Sequence, residues 1–136
     1  IYGADVLVAG GPEDRADVEE AAEGARRDGV STFCGESGIE GLMNALENLS
    51  VLISPDSGPA HLADALGVPV LTVFTSTSPA LGFWDPRRRG NFTASELECR
   101  PCHRHGGERC RRGDEICRRG IVPLEMVRRA MELASP

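Results

Sequence analysis

Along the first part of the chain, short apolar runs alternate with longer segments whose apolar residues recur at helical spacing. Four runs have the length and composition of buried strands: residues 4–11, 30–34, 51–55 and 69–74. The segments between them place apolar residues three and four positions apart and end near glycines, as amphipathic helices do. This β-α-β-α-β-α-β order, with strands apolar on both faces, predicts an α/β fold whose parallel sheet is covered by helices.

The pattern changes after Phe74. Residues 75–122 are rich in Ser, Thr, Gly, Pro and Arg and contain a cluster of cysteines, which predicts a long irregular segment. Residues 122–134 then carry apolar side chains on one face and predict a C-terminal helix. We therefore expect a core over residues 1–86 and, over residues 87–136, a cysteine-rich loop and a helix that pack on the same domain.

Charge is divided unevenly between these two regions. The net charge is −6, and all 15 basic residues are arginine. Residues 1–86 carry 14 acidic and 3 basic side chains, whereas residues 87–136 carry 7 acidic and 12 basic ones. The acidic first region argues against nucleic acid as a partner, while the basic region could meet an anionic partner or simply neutralise the core. No apolar run reaches the ~20 residues of a membrane span.

The third apolar run leads into a turn that reads Asp-Ser-Gly-Pro-Ala-His, residues 56–61. In open parallel sheets, ligands bind beyond the carboxyl ends of the strands, where this turn lies. We expect Pro59 at the first helical position and Gly58 at the N-cap, because proline needs no hydrogen-bond acceptor there. The N–H groups of Ala60 and His61 would then be unpaired and, with the helix dipole, would form an anion site.

Three polar side chains add chemistry to this turn. Ser57 supplies a hydroxyl, and His61 supplies a ring donor that becomes cationic on protonation. Asp56 would repel a phosphate, so we expect it to accept from a sugar or an amine, or to brace the turn. The simpler alternative is a helix cap beside an ordinary surface histidine. The combination at a strand's carboxyl end favours a phosphate or nucleotide site.

The stretch SPDSGPAHLADALGVPVLTVFTSTSP, residues 54–79, resembles the donor-binding signature of glycosyltransferase family nine, the heptosyltransferases of lipopolysaccharide core assembly. That signature is Asp-(Ser/Thr)-Gly-x-x-His-Leu-x-x-Ala-Leu-x-x-Pro, followed by a strand and a Gly-Pro-Thr-x-Pro loop. The matching residues are Asp56, Ser57, Gly58, His61, Leu62, Ala65, Leu66 and Pro69. The segments VLVAGGPEDRADVEEAAE and GIEGLMNALENLSVLIS, and the cysteine-rich ending, resemble other parts of the same family.

The resemblance implies a fold and a reaction. Members have the GT-B architecture of two Rossmann-like domains, with the nucleotide sugar on the C-terminal one. The acceptor and the carboxylate general base lie on the N-terminal one. Members invert the anomeric centre in one displacement and require no metal or other cofactor. In this chain, Asp56, Ser57, Gly58 and His61 would hold the diphosphate and nearby hydroxyls of an ADP-heptose-like donor.

The same resemblance assigns the rest of the nucleotide. The turn at Glu36 and Ser37 would border the adenine, and Asp14 or Glu13 would contact the ribose. This chain departs from the family at residues 75–77, where Thr-Ser-Thr replaces the Gly-Pro-Thr loop. Because of this departure, the resemblance does not decide whether residues 75–77 contact a phosphate.

The chain begins at what resembles the second strand of the family's C-terminal domain. We therefore expect a donor-binding fragment that is inactive alone, with the general base and the lipopolysaccharide-precursor acceptor on a domain it lacks. A missing strand would leave a sheet edge open, and that edge could pair with a second copy in a homodimer. A sugar-nucleotide donor also implies the cytoplasm, with peripheral attachment at the inner membrane face left open.

Four cysteines of the irregular segment have the spacing C-x2-C-x7-C-x6-C: Cys99, Cys102, Cys110 and Cys117. They could bind a structural zinc ion, form two disulfides or stay free thiols. A reducing cytosol disfavours disulfides, and a single C-x2-C pair is a weaker zinc signal than two. Cys34 lies apart from them and is expected to be buried.

Two other functions stay open. UDP-sugar 2-epimerases share the GT-B fold and a similar Asp-Ser-Gly turn, but they usually have a glycine where this chain has Pro59 and an acidic residue further along the helix. The second alternative is a non-catalytic metal-binding module whose nucleotide turn is vestigial. Preference for UDP over ADP would indicate the epimerase, and binding of neither would indicate the module.

Overall fold

A computed structural model describes residues 3–25, 28–81, 89–92, 97–102, 104 and 109–135. Strands and helices alternate in chain order: β1 (Val6–Ala9), α1 (Arg15–Gly24), β2 (Val30–Phe33), α2 (Gly38–Glu47), β3 (Leu52–Pro55), α3 (Gly58–Ala65), β4 (Val70–Val73), β5 (Arg89–Phe92), α4 (Ile116–Arg119) and α5 (Pro123–Ala134). Short 3-10 turns cover Pro12–Asp14 and Pro79–Leu81. The predicted α/β class, with parallel strands flanked by helices, is confirmed.

The chain divides into two compact units, Ile1–Ala45 and Leu46–Pro136. In the first unit, β1 and β2 pair in parallel, with Val6 opposite Val30. In the second, β3, β4 and β5 form a parallel sheet in that order. Two of the predicted strands therefore pair in the sheet of the first unit, and the other two pair in the sheet of the second. The sequence-based division after residue 86 stays a prediction.

The strand β5 lies where the sequence predicted only irregular structure. Its residues, Arg-Gly-Asn-Phe, lack the apolar run that identified the other strands. The strand forms because Arg89–Phe92 pairs in parallel with Val70–Val73. Strand composition reports half-buried side chains more than backbone preference, so a polar edge strand escapes detection by composition.

The core of the second unit surrounds β4. Val70 and Leu71 are fully buried, as expected for the central strand of a covered parallel sheet. The helix α3 packs on β3 and β4, and α5 packs on β4 and β5. At the α5 contact, a Cβ on Gly90 would come within 2.5 Å of Leu133 Cδ1 and 2.9 Å of Leu71 Cδ1, so only glycine allows this approach.

The first unit has a smaller core, in which α1 packs on β1 and β2. Val18 of α1 is buried, and Cys34, directly after β2, is 2% exposed, which confirms the burial expected for that cysteine. Within the described residues, none of the helices has the length and apolar character needed to cross a membrane.

Candidate functional site

The turn between β3 and α3 differs from its prediction by one residue. The helix begins at Gly58, so Ser57 is the N-cap and Pro59 is the second helical residue. The N–H groups of Ala60 and His61 both reach the Ser57 carbonyl, at 3.1 and 3.4 Å. The expectation that these two amides are unpaired was therefore wrong, because the earlier start brings a carbonyl within reach of both.

The N–H of Gly58, the first residue of the helix, has no hydrogen-bond partner among the described residues. The first amides of a helix have no upstream carbonyl, and Pro59 has no N–H to offer. A Cβ placed on Gly58 would meet no atom within 4 Å, so the space beside this residue is open. An open amide at the positive end of an eight-residue helix is a place where an anion can bind.

The hydroxyl of Ser57 is turned toward β3. Its Oγ lies 3.0 Å from Ser54 Oγ and donates to the Pro55 carbonyl at 3.2 Å. The side chain makes no hydrogen bond to the helix amides, so Ser57 does not act as an ordinary side-chain cap. In this arrangement the hydroxyl braces the turn against the strand, and the predicted contact with a ligand stays a prediction.

Asp56 and His61 face each other across the start of α3. Asp56 Oδ1 lies 3.8 Å from His61 Nε2, an ion-pair distance when the histidine is protonated. The Asp56 side chain is 15% exposed and that of His61 is 43% exposed, so the ring is the more accessible partner. Asp56 is therefore placed to interact with the more exposed His61 ring at the start of α3.

In the first unit, Asp14 and Glu13 differ in what their carboxylates contact. Asp14 Oδ2 accepts the N–H of Gly11 at 3.0 Å and closes the turn after β1. The Glu13 carboxyl carbon lies 2.7 Å from the position of a Cβ on Gly11, and Glu13 has no hydrogen bond among the described residues. Of the two carboxylates predicted to contact a ribose, that of Asp14 thus has a structural partner in the turn and that of Glu13 has none among the described residues; the ribose contact of either stays a prediction.

An ion pair that the sequence did not reveal joins the turns after β1 and β2. Arg15 Nη2 lies 2.9 Å from Glu36 Oε1, and Glu36 Oε2 accepts the N–H of Cys34 at 2.9 Å. The backbone N–H groups of Glu36 and Cys34, followed by Arg15, lower the pKa of the Glu36 carboxyl. The hydrogen bond to Glu36 raises the pKa of Arg15. Because 21 residues separate the pair, no local pattern could have found it.

The predicted donor-binding residues thus fall into two groups, one in each unit. The first unit contains Glu13 and Asp14 on the turn after β1. Ser37 is exposed on the turn after β2, and the Arg15–Glu36 ion pair joins these two turns. The second unit brings together Asp56, Ser57, Gly58 and His61 at the carboxyl end of β3.

The loop after β4, where the chain departs from the family pattern, contacts the cysteine-rich segment. The N–H of Cys102 donates to the Ser76 carbonyl at 2.8 Å, and Arg100 Nη1 donates to the Phe74 carbonyl at 3.2 Å. Thr77 in the same loop is buried. No local pattern could have identified Arg100, because the carbonyl that accepts its hydrogen bond lies 26 residues away.

All five cysteines are described, and none of them forms a disulfide. Burial, followed by the charges of Cys99, Cys117 and Cys110, raises the pKa of the Cys102 thiol. Backbone N–H groups, that of Glu115 above all, lower the pKa of the Cys110 thiol.

A metal site is not preformed in the described part of the chain. No three or more His, Cys, Asp or Glu side chains there are grouped in a way that could hold a metal ion. His103 and His105, which lie between the cysteines in the sequence, are outside the described residues. The zinc expected from the cysteine spacing therefore stays a prediction.

Comparison with known proteins supports the resemblance seen in the sequence. The model of glycosyltransferase family 9 (heptosyltransferase) matches residues 2–109. Lipopolysaccharide heptosyltransferase 3 of Escherichia coli is 31% identical over 86 residues, which cover 62% of this chain and 25% of that protein. A second Escherichia coli protein of the same name is 30% identical over 86 residues, 62% of this chain and 24% of that protein.

The chain spans about a quarter of the length of these curated relatives. No solved structure matches it. The family assignment therefore rests on the family model and on these relatives, and the geometry of the site comes from the chain's own fold.

Proposed function

The chain belongs to glycosyltransferase family 9, and from that membership we propose that its β3–α3 turn binds the diphosphate of a nucleotide-activated sugar. The protein would be the donor-binding part of a glycosyltransferase of lipopolysaccharide core synthesis, with an ADP-heptose-like donor. The observation that carries this proposal is the unpaired N–H of Gly58, which opens on free space at the start of α3.

The work of this turn would be to stabilise the departing nucleoside diphosphate. Negative charge grows on the phosphate oxygens as the glycosidic bond breaks, and donors already in place lower the barrier because they need no reorganisation. Gly58 N–H and the dipole of α3 are fixed by the fold, and His61 adds a positive charge when protonated. Asp56 would orient the ring, 3.8 Å away, and accept from a sugar hydroxyl.

The nucleoside contacts are proposed from the family resemblance together with the geometry of the first unit. Glu13 or Asp14 would contact the ribose; Asp14 also accepts the N–H of Gly11 through Oδ2, which fixes its carboxylate beside the turn. Ser37 and the Glu36 turn would border the adenine.

The rest of the reaction is proposed from the family alone. The reaction would invert the anomeric centre without a metal. The general base would come from outside this chain, and the lipopolysaccharide-precursor acceptor would bind there too. Cytoplasmic location, homodimerisation through an open sheet edge and inactivity of this chain alone stay predictions. The match to the family 9 model favours a glycosyltransferase over a UDP-sugar 2-epimerase.

Hydrogen exchange with and without nucleotide tests the proposal on the intact chain. ADP should protect the amides of residues 57–62, and adenosine, which has no phosphate, should not. Stronger protection by UDP than by ADP would support the epimerase interpretation. Absence of protection and of calorimetric heat with both nucleotides would contradict the proposal and favour the non-catalytic module.

A further inference from the structure

A buried hydroxyl on β4 has no hydrogen-bond partner among the described residues. Thr72 is 1% exposed, and its Oγ1 bonds to no other group there. A polar group that is buried without a partner has lost its hydration and gained nothing in return, and the large majority of buried polar groups in folded proteins are paired. The unpaired hydroxyl of Thr72 therefore needs a physical explanation.

The residue opposite Thr72 on β3 is Ser54, which is 7% exposed. Side chains of residues that pair across a sheet project from the same face, and neighbouring strands lie about 4.7–4.9 Å apart. A change of side-chain rotamer can therefore bring the two hydroxyls within hydrogen-bond distance. In the structure, however, Ser54 Oγ lies 3.0 Å from Ser57 Oγ and is not bonded to Thr72.

The proton of the Ser57 hydroxyl is already in use. Ser57 Oγ donates to the Pro55 carbonyl at 3.2 Å, and a hydroxyl has one proton to donate. Ser54 must then be the donor in its hydrogen bond with Ser57. Because an ionised phosphate oxygen can only accept hydrogen bonds, Ser57 must release the Pro55 carbonyl before it can donate to a phosphate.

This release has a consequence for Ser54. If the Ser57 side chain turned from β3 to a ligand, the buried Ser54 hydroxyl would lose its acceptor, and an unsatisfied buried donor is costly. Thr72 Oγ1 lies on the same face of the sheet and is unpaired. A hydrogen bond between Ser54 and Thr72 would satisfy both hydroxyls at once, so the ligand-bound arrangement would contain one unpaired buried hydroxyl fewer than the free one.

We propose that Thr72 is a positioning residue for the diphosphate, whose hydroxyl accepts the hydrogen bond of Ser54 when Ser57 turns to a phosphate oxygen. The inference rests on the proposed function, because it needs an anion beside Gly58. Binding exchanges hydrogen bonds: those of Ser57 with Ser54 and with the Pro55 carbonyl break. Two others form, from Ser54 to Thr72 and from Ser57 to the phosphate. Thr72 itself does not touch the ligand.

The variant Thr72→Val separates this role from a purely structural one. Valine removes the unpaired hydroxyl and keeps the shape of the side chain, so the free chain should unfold at the same denaturant concentration as wild type or a higher one. ADP affinity should fall by roughly 5- to 100-fold in calorimetric titration, because binding now leaves the Ser54 hydroxyl unpaired. Adenosine, which has no phosphate, should bind as it does to wild type.

The conservative variant Thr72→Ser should show the opposite pattern. It keeps the hydroxyl and should bind ADP as wild type does, although the loss of a buried methyl group lowers its stability. A double-mutant cycle with Ser54→Ala identifies the partner of Thr72. Without the Ser54 hydroxyl, binding leaves no donor unpaired, so Thr72→Val should not change ADP affinity in that background.

Three results would overturn the inference. A stability loss in Thr72→Val would mean that the hydroxyl already has a partner in the free chain. The other two are wild-type ADP affinity in Thr72→Val and an equal loss of affinity when Ser54→Ala is also present. Wild type that binds no ADP would contradict the proposed function and this inference with it. Wild type that binds ADP no better than Thr72→Val would contradict this inference alone.

Discussion

Replacing Gly58 by alanine separates binding at the β3–α3 turn from stability of the fold. The new Cβ would meet no atom within 4 Å, and Gly58 is not among the glycines with positive φ. Alanine is favoured over glycine in helices by up to about 1 kcal/mol, so the free energy of unfolding should stay within about 1 kcal/mol of wild type.

Nucleotide binding should respond quite differently. The added methyl group enters the open space beside Gly58, and we expect it to hinder the approach of a phosphate oxygen to the Gly58 N–H. A hydrogen bond to a charged group contributes about 1.5–3 kcal/mol, so its loss should weaken ADP binding by roughly 10- to 100-fold. Adenosine affinity should not change, because adenosine has no phosphate to place there.

Calorimetric titration with ADP and adenosine measures this effect, and denaturant unfolding measures stability. The matched control is Gly24→Ala at the end of α1, where a Cβ also meets nothing within 4 Å. Equal ADP affinity for wild type and Gly58→Ala would refute the anion site at this amide. A loss of stability above about 2 kcal/mol in Gly58→Ala would refute the open space described beside it.

Three further predictions concern the fold and its electrostatics. Gly90→Ala should cost about 1–3 kcal/mol in denaturant unfolding, because its Cβ would overlap Leu133 and Leu71; an unchanged midpoint would contradict the close approach of α5. Leu71→Ala, at a fully buried position, should lower the free energy of unfolding by about 2–5 kcal/mol in the same assay. A loss below about 1 kcal/mol, which is roughly what substitution at an exposed site gives, would refute the place of Leu71 in the core. Glu36 has a lowered pKa in the folded state, so its ionised form contributes stability above its ordinary pKa of 4.5, and this contribution disappears as the pH falls through the folded value. Wild type should therefore exceed Glu36→Gln in stability near neutral pH and lose that advantage in acid; a pH-independent difference would contradict the pairing with Arg15.

The local features of the site followed from the sequence because they depend on residues close together in the chain. The alternation of apolar runs and helical segments located β1 to β4 and α1 to α3, and the Asp-Ser-Gly-Pro-Ala-His turn was correctly placed at the end of a strand. The start of α3 was one residue off. Helix ends depend on which carbonyl the first amides reach, and several neighbouring residues can satisfy that condition.

Contacts between distant residues required the tertiary structure. Arg15 and Glu36, and likewise Arg100 and Phe74, are too far apart in sequence for any periodicity to pair them. The strand β5 was missed for the same reason, since its partner β4 and not its own composition makes it a strand.

The sequence by itself determined the class of fold, the family and the turn that we propose as the anion site. Those follow from apolar runs, from the helical spacing of 3.6 residues and from a motif whose spacing is short. Tertiary structure decided that the N–H groups of Ala60 and His61 share the Ser57 carbonyl and that Asp14 accepts the N–H of Gly11. These contacts depend on how separate segments of the chain approach one another. Tertiary packing sets that approach, and no local sequence pattern encodes it.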